Sequence, residues 1–358
     1  MAINLGNNNS LPVHFLGKKF QMFDQSGIAL IYVLLIFLLI TTIASQIVMN
    51  LRLHTEKNSR YLERTQAKHY ALGAEQYVAW LLEKDFGQDK NKNRMVDHKN
   101  EMWNVDTVSY EVDQGSIELL VQDEQGLFNL NWLIEDSKQP GKLTDKNTTK
   151  NLQMFENLLS AQAMDPQLAL KVKRWFSKGK ESSSEGDEDQ IYLSLEPPRR
   201  TGQTEMVSVS ELMLIDGFDG EKIEKLLPYI TVIPASSKMN INSALPEVIR
   251  SLNSNISDGD LLMIDSGRVD NGLSNIEELN KLVALSGKAG MFQGGSVVFG
   301  SQYFSARIKA TYRDTTFYLK TLFYRSSKGH VQVVGREIGP SQYWSPASEA
   351  DTTGNPGV

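Results

Sequence analysis

Residues 27–49 read GIALIYVLLIFLLITTIASQIVM, and this apolar stretch decides how the rest of the chain is organised. Residues 28–44 contain no charge, no proline and no glycine. About 20 such residues at ~1.5 Å each cross a hydrocarbon core of about 30 Å. Because lipid offers backbone groups no partners, the stretch predicts a transmembrane helix over residues 28–49. The alternative is a buried core helix, but such helices are usually shorter and have a polar face.

A helical pattern continues after the membrane segment. Small and aromatic residues recur there at spacings of three and four, namely Ala67, Tyr70, Ala71, Ala74 and Val78. That spacing places them on one face of a helix. Glycine commonly ends a helix, and Gly87 stands where the pattern fades. We therefore predict one helix over residues 28–87.

A polar leader precedes the apolar stretch and ends in Gln25-Ser26-Gly27. Its lysines, Lys18 and Lys19, favour a cytoplasmic N-terminus, which sends the chain after Met49 across the membrane. A secretory signal peptide, cleaved after Ala44, is a competing interpretation. Against it, the apolar stretch is longer than the core of a typical signal peptide.

A glycine directly before a long apolar helix, after a short basic leader, resembles the class III signal of type IV pilins and pseudopilins. The resemblance implies that a prepilin peptidase cuts the Gly27–Ile28 bond and leaves the apolar helix on the mature protein. Most pilins carry glutamate at the fifth mature position, which is Tyr32 here. The family that characteristically lacks this glutamate is minor pseudopilin K of the type II secretion system.

Four further segments resemble stretches of that family and occur in the same order. They are QAKHYALGAE at residues 66–75, DEQGLFNLN at 123–131, SVSEL at 208–212 and NINSA at 240–244. The resemblance implies a single-pass protein of the bacterial inner membrane with the bulk of the chain in the periplasm. It also implies a role in initiating or capping the pseudopilus at its tip, with other minor pseudopilins as partners. The face formed by Ala67, Tyr70, Ala71, Ala74 and Val78 is then expected to be exposed and to pack on neighbouring pseudopilin helices.

The expected fold is α+β. Alternating apolar residues predict strands from Val105 to Val121 and again from Val297 to Val334, and Phe128 and Leu130 continue the first run. The segment between them has mainly helical patterns. This order predicts an all-α domain inserted into an α+β domain. The resemblance implies that the fold is pilin-like and that the inserted domain is related to SAM-like and helix-hairpin-helix domains. The predicted boundaries are a leader at 1–27, the long helix at 28–87, sheet parts at 88–136 and 291–340, the inserted domain at 137–290 and a disordered tail at 341–358.

The net charge of −6 makes nucleic acid an unexpected partner, because phosphate backbones are repelled. Residues 212–227 resemble half of a helix-hairpin-helix, but Asp219 stands at the second glycine position and Glu221 and Glu224 follow it. Such carboxylates cap the helix themselves and repel phosphate. A DNA-handling minor pilin, as in competence pili, is a competing hypothesis that requires a basic groove. A secreted binding protein released by signal peptidase is the other.

No enzymatic activity is expected. The chain has no cysteine and five scattered histidines, without the spacing of a zinc site or of a nucleophile and its base. Neither a phosphate-binding loop nor a dinucleotide-binding fingerprint is present.

Calcium is the one cofactor that the sequence suggests. Asp187, Glu188 and Asp189 lie in an acidic segment that resembles the calcium-binding region of the family, and calcium prefers such oxygen ligands. The family also carries two aspartates upstream, where this chain has Ser177 and Gly179. A solvated loop and a retained weak calcium site therefore both stay open. The stretch from Asp89 to Asn93 imitates a calcium loop but lacks its later glycine and glutamate, and we predict a solvated turn there.

Overall fold

The computed structural model describes residues 26–104, 108–134, 144–176, 192–194, 196–284, 292 and 297–339. A long helix, α1, extends from Ser26 to Lys92. The chain divides into two compact units, one ending at Tyr61 and the other beginning at Leu62.

The first unit contains the apolar part of α1. Its most apolar window has a mean hydropathy of 2.7, and none of that window is buried. Among the described residues this is the one helix long and apolar enough to cross a membrane. The hydroxyls of Thr41 and Thr42 donate to the carbonyls of Phe37 and Leu38, at 2.8 and 3.0 Å. These two hydroxyls are therefore satisfied within the helix, as a lipid environment requires.

The predicted helix end at Gly87 was wrong, because α1 continues for another turn. Gly87 does not end the helix, because an isolated glycine weakens a helix without breaking it. The helix instead ends at Asn93, whose φ of 57° lies in the left-handed region that asparagine tolerates. Asp89, predicted in a solvated turn, consequently lies in the last turns of α1 and is buried.

The second unit combines one antiparallel sheet with a helical segment. The sheet contains β1 (Val108–Val112), β2 (Gly115–Asp123), β7 (Tyr303–Tyr312), β8 (Thr315–Arg325) and β9 (Val331–Ile338), in the order β1-β2-β7-β8-β9. Between β2 and β7 come α2 (Thr144–Ala161), α3 (Gln167–Phe176), α4 (Gly220–Leu226), α5 (Pro246–Ser251), α6 (Asp258–Arg268) and α7 (Ile276–Ala284). The predicted α+β class, with helices inserted into a sheet, is confirmed.

Two short parallel strand pairs accompany these helices. β3 (Phe128–Asn129) pairs with β4 (Ile230–Thr231), and β5 (Met239–Asn240) pairs with β6 (Val297–Val298). The inserted segment is therefore not purely helical.

The sheet and the helical segment have separate hydrophobic cores. Leu119, Phe304, Ile308 and Phe323 belong to the sheet core, which α1 covers. Phe128 and Leu130, which we assigned to the sheet, instead belong to the core of the helical segment. Period-two alternation over two apolar residues does not say which core they enter. The helical segment thus begins shortly after Asp123, before the predicted boundary at residue 136.

Candidate functional site

The helix face expected to contact neighbouring subunits is buried within the chain itself. Ala67, Ala71 and Val78 have no exposed surface, and Ala74 has almost none. They pack on the inner side of the sheet, in the core that contains Phe304 and Ile308. The expectation of an exposed face was therefore wrong. A stripe of small residues lets any surface approach a helix closely, and here the sheet of the same chain does so.

Polar contacts fix α1 on this sheet. Arg336 donates to both carboxylate oxygens of Glu75, and the hydroxyl of Thr321 donates to the same carboxylate at 2.7 Å. Burial would raise the pKa of Glu75, but these hydrogen bonds and the charge of Arg336 hold it below its usual range. Near the other end, the Tyr70 hydroxyl donates to the Asp113 carbonyl at 2.8 Å. Tyr70 thus also contacts its own domain.

A different face of α1 exposes aromatic side chains. Tyr77 is 42% exposed and Trp80 is 49% exposed, and their rings lie 5.8 Å apart. Tyr110 on the edge strand β1, 40% exposed, packs edge-on against Tyr77 at 6.4 Å. The Lys84 ammonium lies 4.7 Å from the centre of the Trp80 ring. We call Tyr77, Trp80 and Tyr110 the aromatic face.

Two of the family-like segments meet where the sheet joins the helical segment. The Asn240 side chain donates to Asp123 at 2.9 Å, and the hydroxyls of Ser243 and Ser301 also donate to Asp123. At Gly126 a Cβ atom would come within 2.8 Å of the Ser243 Oγ and 2.9 Å of its backbone, so only glycine fits there. Asp123 and Gly126 belong to the first segment, and Asn240 and Ser243 to the second. The hydrogen bonds of Asp123 and the close approach at Gly126 therefore require these residue types at the junction between the two cores.

The asparagines of the first segment continue this junction into the helical segment. Asn129 donates to the Ile233 carbonyl at 2.8 Å and accepts from its N–H at 3.2 Å. Asn131 pairs in the same two-way manner with the backbone of Met206, at 2.8 and 3.0 Å. Such paired amide contacts replace backbone partners in a region with little regular structure. Both motifs consequently have a structural role in the described residues.

A second polar site lies at the end of α1. Asp85, Asp89, Asp97 and Glu101, which we call the carboxylate cluster, are all largely buried. Oxygens of Asp85, Asp89 and Glu101 all lie within 4.8 Å of one another. Arg325 on β8 donates to both oxygens of Asp97 and approaches Asp85 at 3.5 Å. The site therefore brings four carboxyl groups together with one guanidinium, which contacts two of them directly.

Burial and mutual repulsion make Asp85, Asp89 and Glu101 weak acids. Burial, together with the charges of Asp85 and Asp97, raises the pKa of Glu101 to about 9. Burial and the charge of Asp97 likewise raise the pKa of Asp85 to about 7 and that of Asp89 to about 6. Asp123 is fully enclosed, and burial raises its pKa to about 6 despite its three side-chain hydrogen bonds.

Proton sharing accounts for the cluster better than a metal ion does. Calcium takes six to eight oxygen ligands, whereas this group offers three close carboxylates. The guanidinium of Arg325 already contacts Asp85, and its positive charge opposes a divalent cation there. Protons, in contrast, remove the repulsion without further ligands.

The remaining predicted site residues fall in three places. Gly27 and Ile28, the predicted cleavage site, lie in α1, and the structure does not test the cleavage. Asp187, Glu188 and Asp189, the possible calcium ligands, lie outside the described residues. Asp219 caps α4, where its carboxylate accepts from the Lys222 N–H at 2.9 Å, as the argument against phosphate binding requires.

The carboxylate cluster was missed by the sequence analysis. Asp85 and Asp89 are four residues apart, which places them on one helix face, but the predicted helix ended between them. Their counter-ion, Arg325, follows Asp85 by 240 residues. No local pattern announces a contact over that separation.

Known proteins resemble this chain in sequence and in fold. Residues 126–235 match the family described as type II secretion system (T2SS), protein K. The type II secretion system protein K of Pseudomonas aeruginosa is 26% identical over 335 residues, which cover 91% of this chain and 97% of that protein. The protein of the same name from Klebsiella pneumoniae is 30% identical over 224 residues, which cover 62% of this chain and 68% of that protein.

A solved structure has the same fold. It is a chain in the crystal structure of the GspK–GspI–GspJ complex from the type 2 secretion system of enterotoxigenic Escherichia coli. The match has a TM-score of 0.58 at 19% identity and covers 80% of this chain and 100% of that one. This likeness confirms the predicted fold class.

Proposed function

Because the chain belongs to the type II secretion system protein K family, whose members are minor pseudopilins, we propose that it initiates or caps the pseudopilus at its tip. Membership rests on the Klebsiella pneumoniae relative, which is 30% identical and is covered to 68% of its length. It favours a role in protein secretion over DNA handling or a secreted binding protein. The role we propose is structural, without catalysis.

The observation that carries the proposed partner contact is the division of α1 into two faces after Leu62. The sheet of the chain itself covers the face with Ala71 and Val78. The aromatic face remains exposed, and aromatic side chains are enriched at protein interfaces. We infer that other minor pseudopilins contact this chain there. The E. coli structure, in which GspK forms a complex with GspI and GspJ, supports partners of this kind.

The N-terminal features support the rest of the proposal. Residues 28–49 would anchor the chain in the inner membrane, with the bulk of the chain in the periplasm. Prepilin peptidase would cut between Gly27 and Ile28 before assembly. The support is a helix apolar enough to span a membrane, preceded by the leader lysines Lys18 and Lys19.

Co-purification tests the aromatic face. The chain is co-expressed with the other minor pseudopilins of its own secretion system and isolated in detergent. Trp80→Glu should abolish co-purification, while the isolated chain should still unfold cooperatively, because Trp80 belongs to neither hydrophobic core of the described residues. Gln332→Glu, an exposed change on β9 at the opposite sheet edge from β1, is the matched control and should bind normally. Normal binding by Trp80→Glu would overturn the proposed contact.

A further inference from the structure

We propose that the carboxylate cluster is a proton-dependent clamp that holds residues 93–104 between the sheet and the helical segment and releases them at alkaline pH. The clamp needs no partner subunit, so its test is independent of the proposed assembly role. It depends on three structural features: the charge balance of the cluster, the protonation state of His98, and the contacts of residues 93–104.

The charge balance of the cluster requires protons. Arg325 matches one negative charge, since it binds both oxygens of Asp97 and the Ser301 carbonyl at 2.9 Å. Three carboxyl groups remain, on Asp85, Asp89 and Glu101. Buried charges in excess of their counter-ions are far more costly than neutral acids, so these groups hold protons instead.

The only other cation that could neutralise Glu101 directly is His98, whose Nε2 lies 3.4 Å from a Glu101 oxygen within the described residues. However, the Asn100 N–H donates to the Nδ1 of His98 at 3.2 Å. That nitrogen must therefore be an acceptor, which makes the imidazole neutral. Burial and the charge of Arg94 also lower the pKa of His98. The titratable and charged groups that face the cluster from the surrounding elements are Lys92, Arg94, His98, Asp123 and Arg325.

Residues 93–104 link the cluster to both cores. The Asp97 N–H donates to the Phe299 carbonyl at 3.0 Å, and the Asn240 side chain donates to the Asp97 carbonyl at 2.9 Å. Arg94 and Asn100 donate to the Gly272 and Val269 carbonyls beyond α6. On the sheet side, the indole of Trp103 donates to Glu101 at 2.6 Å and its ring packs on Phe304. Asp97 and Glu101 belong both to the cluster and to these contacts. If either side chain moves out of the cluster, the contacts of residues 93–104 with both cores therefore loosen.

The direction of the pH effect follows from the raised pKa values. An acid whose pKa is raised in the folded state stabilises that state fully below its ordinary pKa near 4. That stabilisation is lost as the pH rises through the folded value, which is about 6 for Asp89, about 7 for Asp85 and about 9 for Glu101. Release is therefore expected between pH 6 and 9, and it is complete only above the pKa of Glu101.

Hydrogen exchange of the full chain in detergent tests the clamp. Exchange is measured at pH 6 and pH 9, with correction for the intrinsic pH dependence of exchange. Amides of residues 94–101 should exchange at least about tenfold faster at pH 9, the effect of one pKa unit, while β7 and β8 keep their protection. The double variant Asp89→Asn/Glu101→Gln should lose most of this acceleration. Glu111→Gln, at an exposed position on β1, is the control and should keep it.

Two results would overturn the proposal. One is equal protection of residues 94–101 in the wild-type chain at both pH values, which requires no variant to fold. The other is full recovery of protection at pH 9 on adding calcium chloride, because the cluster would then hold a cation instead of protons.

Discussion

Arg336 on the edge strand β9 binds both carboxylate oxygens of Glu75 on α1, at 2.7 and 2.8 Å. Glu75 is buried, whereas the Arg336 side chain is 47% exposed. Glu75 also ends the first family-like segment, at residues 66–75. The pair therefore joins the long helix to the last strand of the sheet and explains why that segment ends in a glutamate.

Replacing the arginine of this pair should destabilise the chain. Arg336→Ala leaves a buried carboxylate with Thr321 as its remaining partner, and we expect a loss of about 1–3 kcal/mol at pH 7. The pKa of Glu75 is lowered in the folded state, so the stabilisation is present above its ordinary pKa and disappears as the pH falls through the folded value. The loss should therefore shrink at pH 3 in urea unfolding. Gln332→Ala, an exposed change on β9, is the control. An equal loss at both pH values would contradict the role of the charge.

A charge placed on the buried face of α1 tests whether that face packs on the sheet of its own chain or on neighbouring subunits. Ala71→Glu should cost at least about 3 kcal/mol, because the carboxylate enters the sheet core without a partner. The measurement is resistance to proteolysis of the membrane-extracted chain. Gln76→Glu adds the same charge at an exposed position and should be neutral. A folded, protease-resistant Ala71→Glu chain that fails only in partner binding would restore the original expectation of an exposed face.

The sequence predicted periodicity well and long-range contacts poorly. Ala67, Ala71 and Val78 were correctly placed on one helix face, because a spacing of three and four defines a face. The spacing does not say what covers that face, and the sheet that does so is formed mostly by strands more than 200 residues later. Arg325 and Asp97 meet for the same reason without a local signal. The long apolar helix was predictable because a lipid environment requires a continuous apolar helical stretch, which local composition reveals.

The close approach at Gly126 predicts that the junction tolerates no side chain there. In Gly126→Ala the new Cβ would press on the Ser243 backbone, and overpacking of this kind typically costs about 1–3 kcal/mol. Gly220→Ala is the matched control, since no atom lies within 4 Å of its added Cβ. Thermal unfolding of both variants decides the matter. Equal melting temperatures would mean that the two segments separate at little cost.

Processing at the N-terminus can be tested by a single change. The resemblance to class III signals implies a small residue before the cut, so Gly27→Leu should leave an uncleaved precursor. Intact-mass measurement of the membrane-extracted chain should then show the additional mass of residues 1–27. Ser26→Ala, which keeps a small residue beside the glycine, is the control. Maturation of Gly27→Leu to the wild-type mass would rule out cleavage between Gly27 and Ile28.

Calcium removal should change stability little. Asp187, Glu188 and Asp189 supply hard oxygen ligands, but Ser177 and Gly179 replace the two upstream aspartates of the family, and Lys178 between them adds a positive charge. Because ligand number and charge set calcium affinity, any remaining site should be weak. A site filled at 100 times its dissociation constant contributes about 2.7 kcal/mol, which corresponds to several degrees in melting temperature.

We therefore expect EDTA to lower the melting temperature of the full chain by less than about 3 °C, below the shift of a filled site. The variant Asp187→Asn/Glu188→Gln/Asp189→Asn provides the matched control. A weak retained site would give a small shift that this variant abolishes and that excess calcium restores. A large, calcium-reversible drop in the wild-type chain would contradict the prediction, because it requires ligands that replace both missing aspartates. If the triple variant showed the same large drop, those ligands would lie elsewhere in the chain.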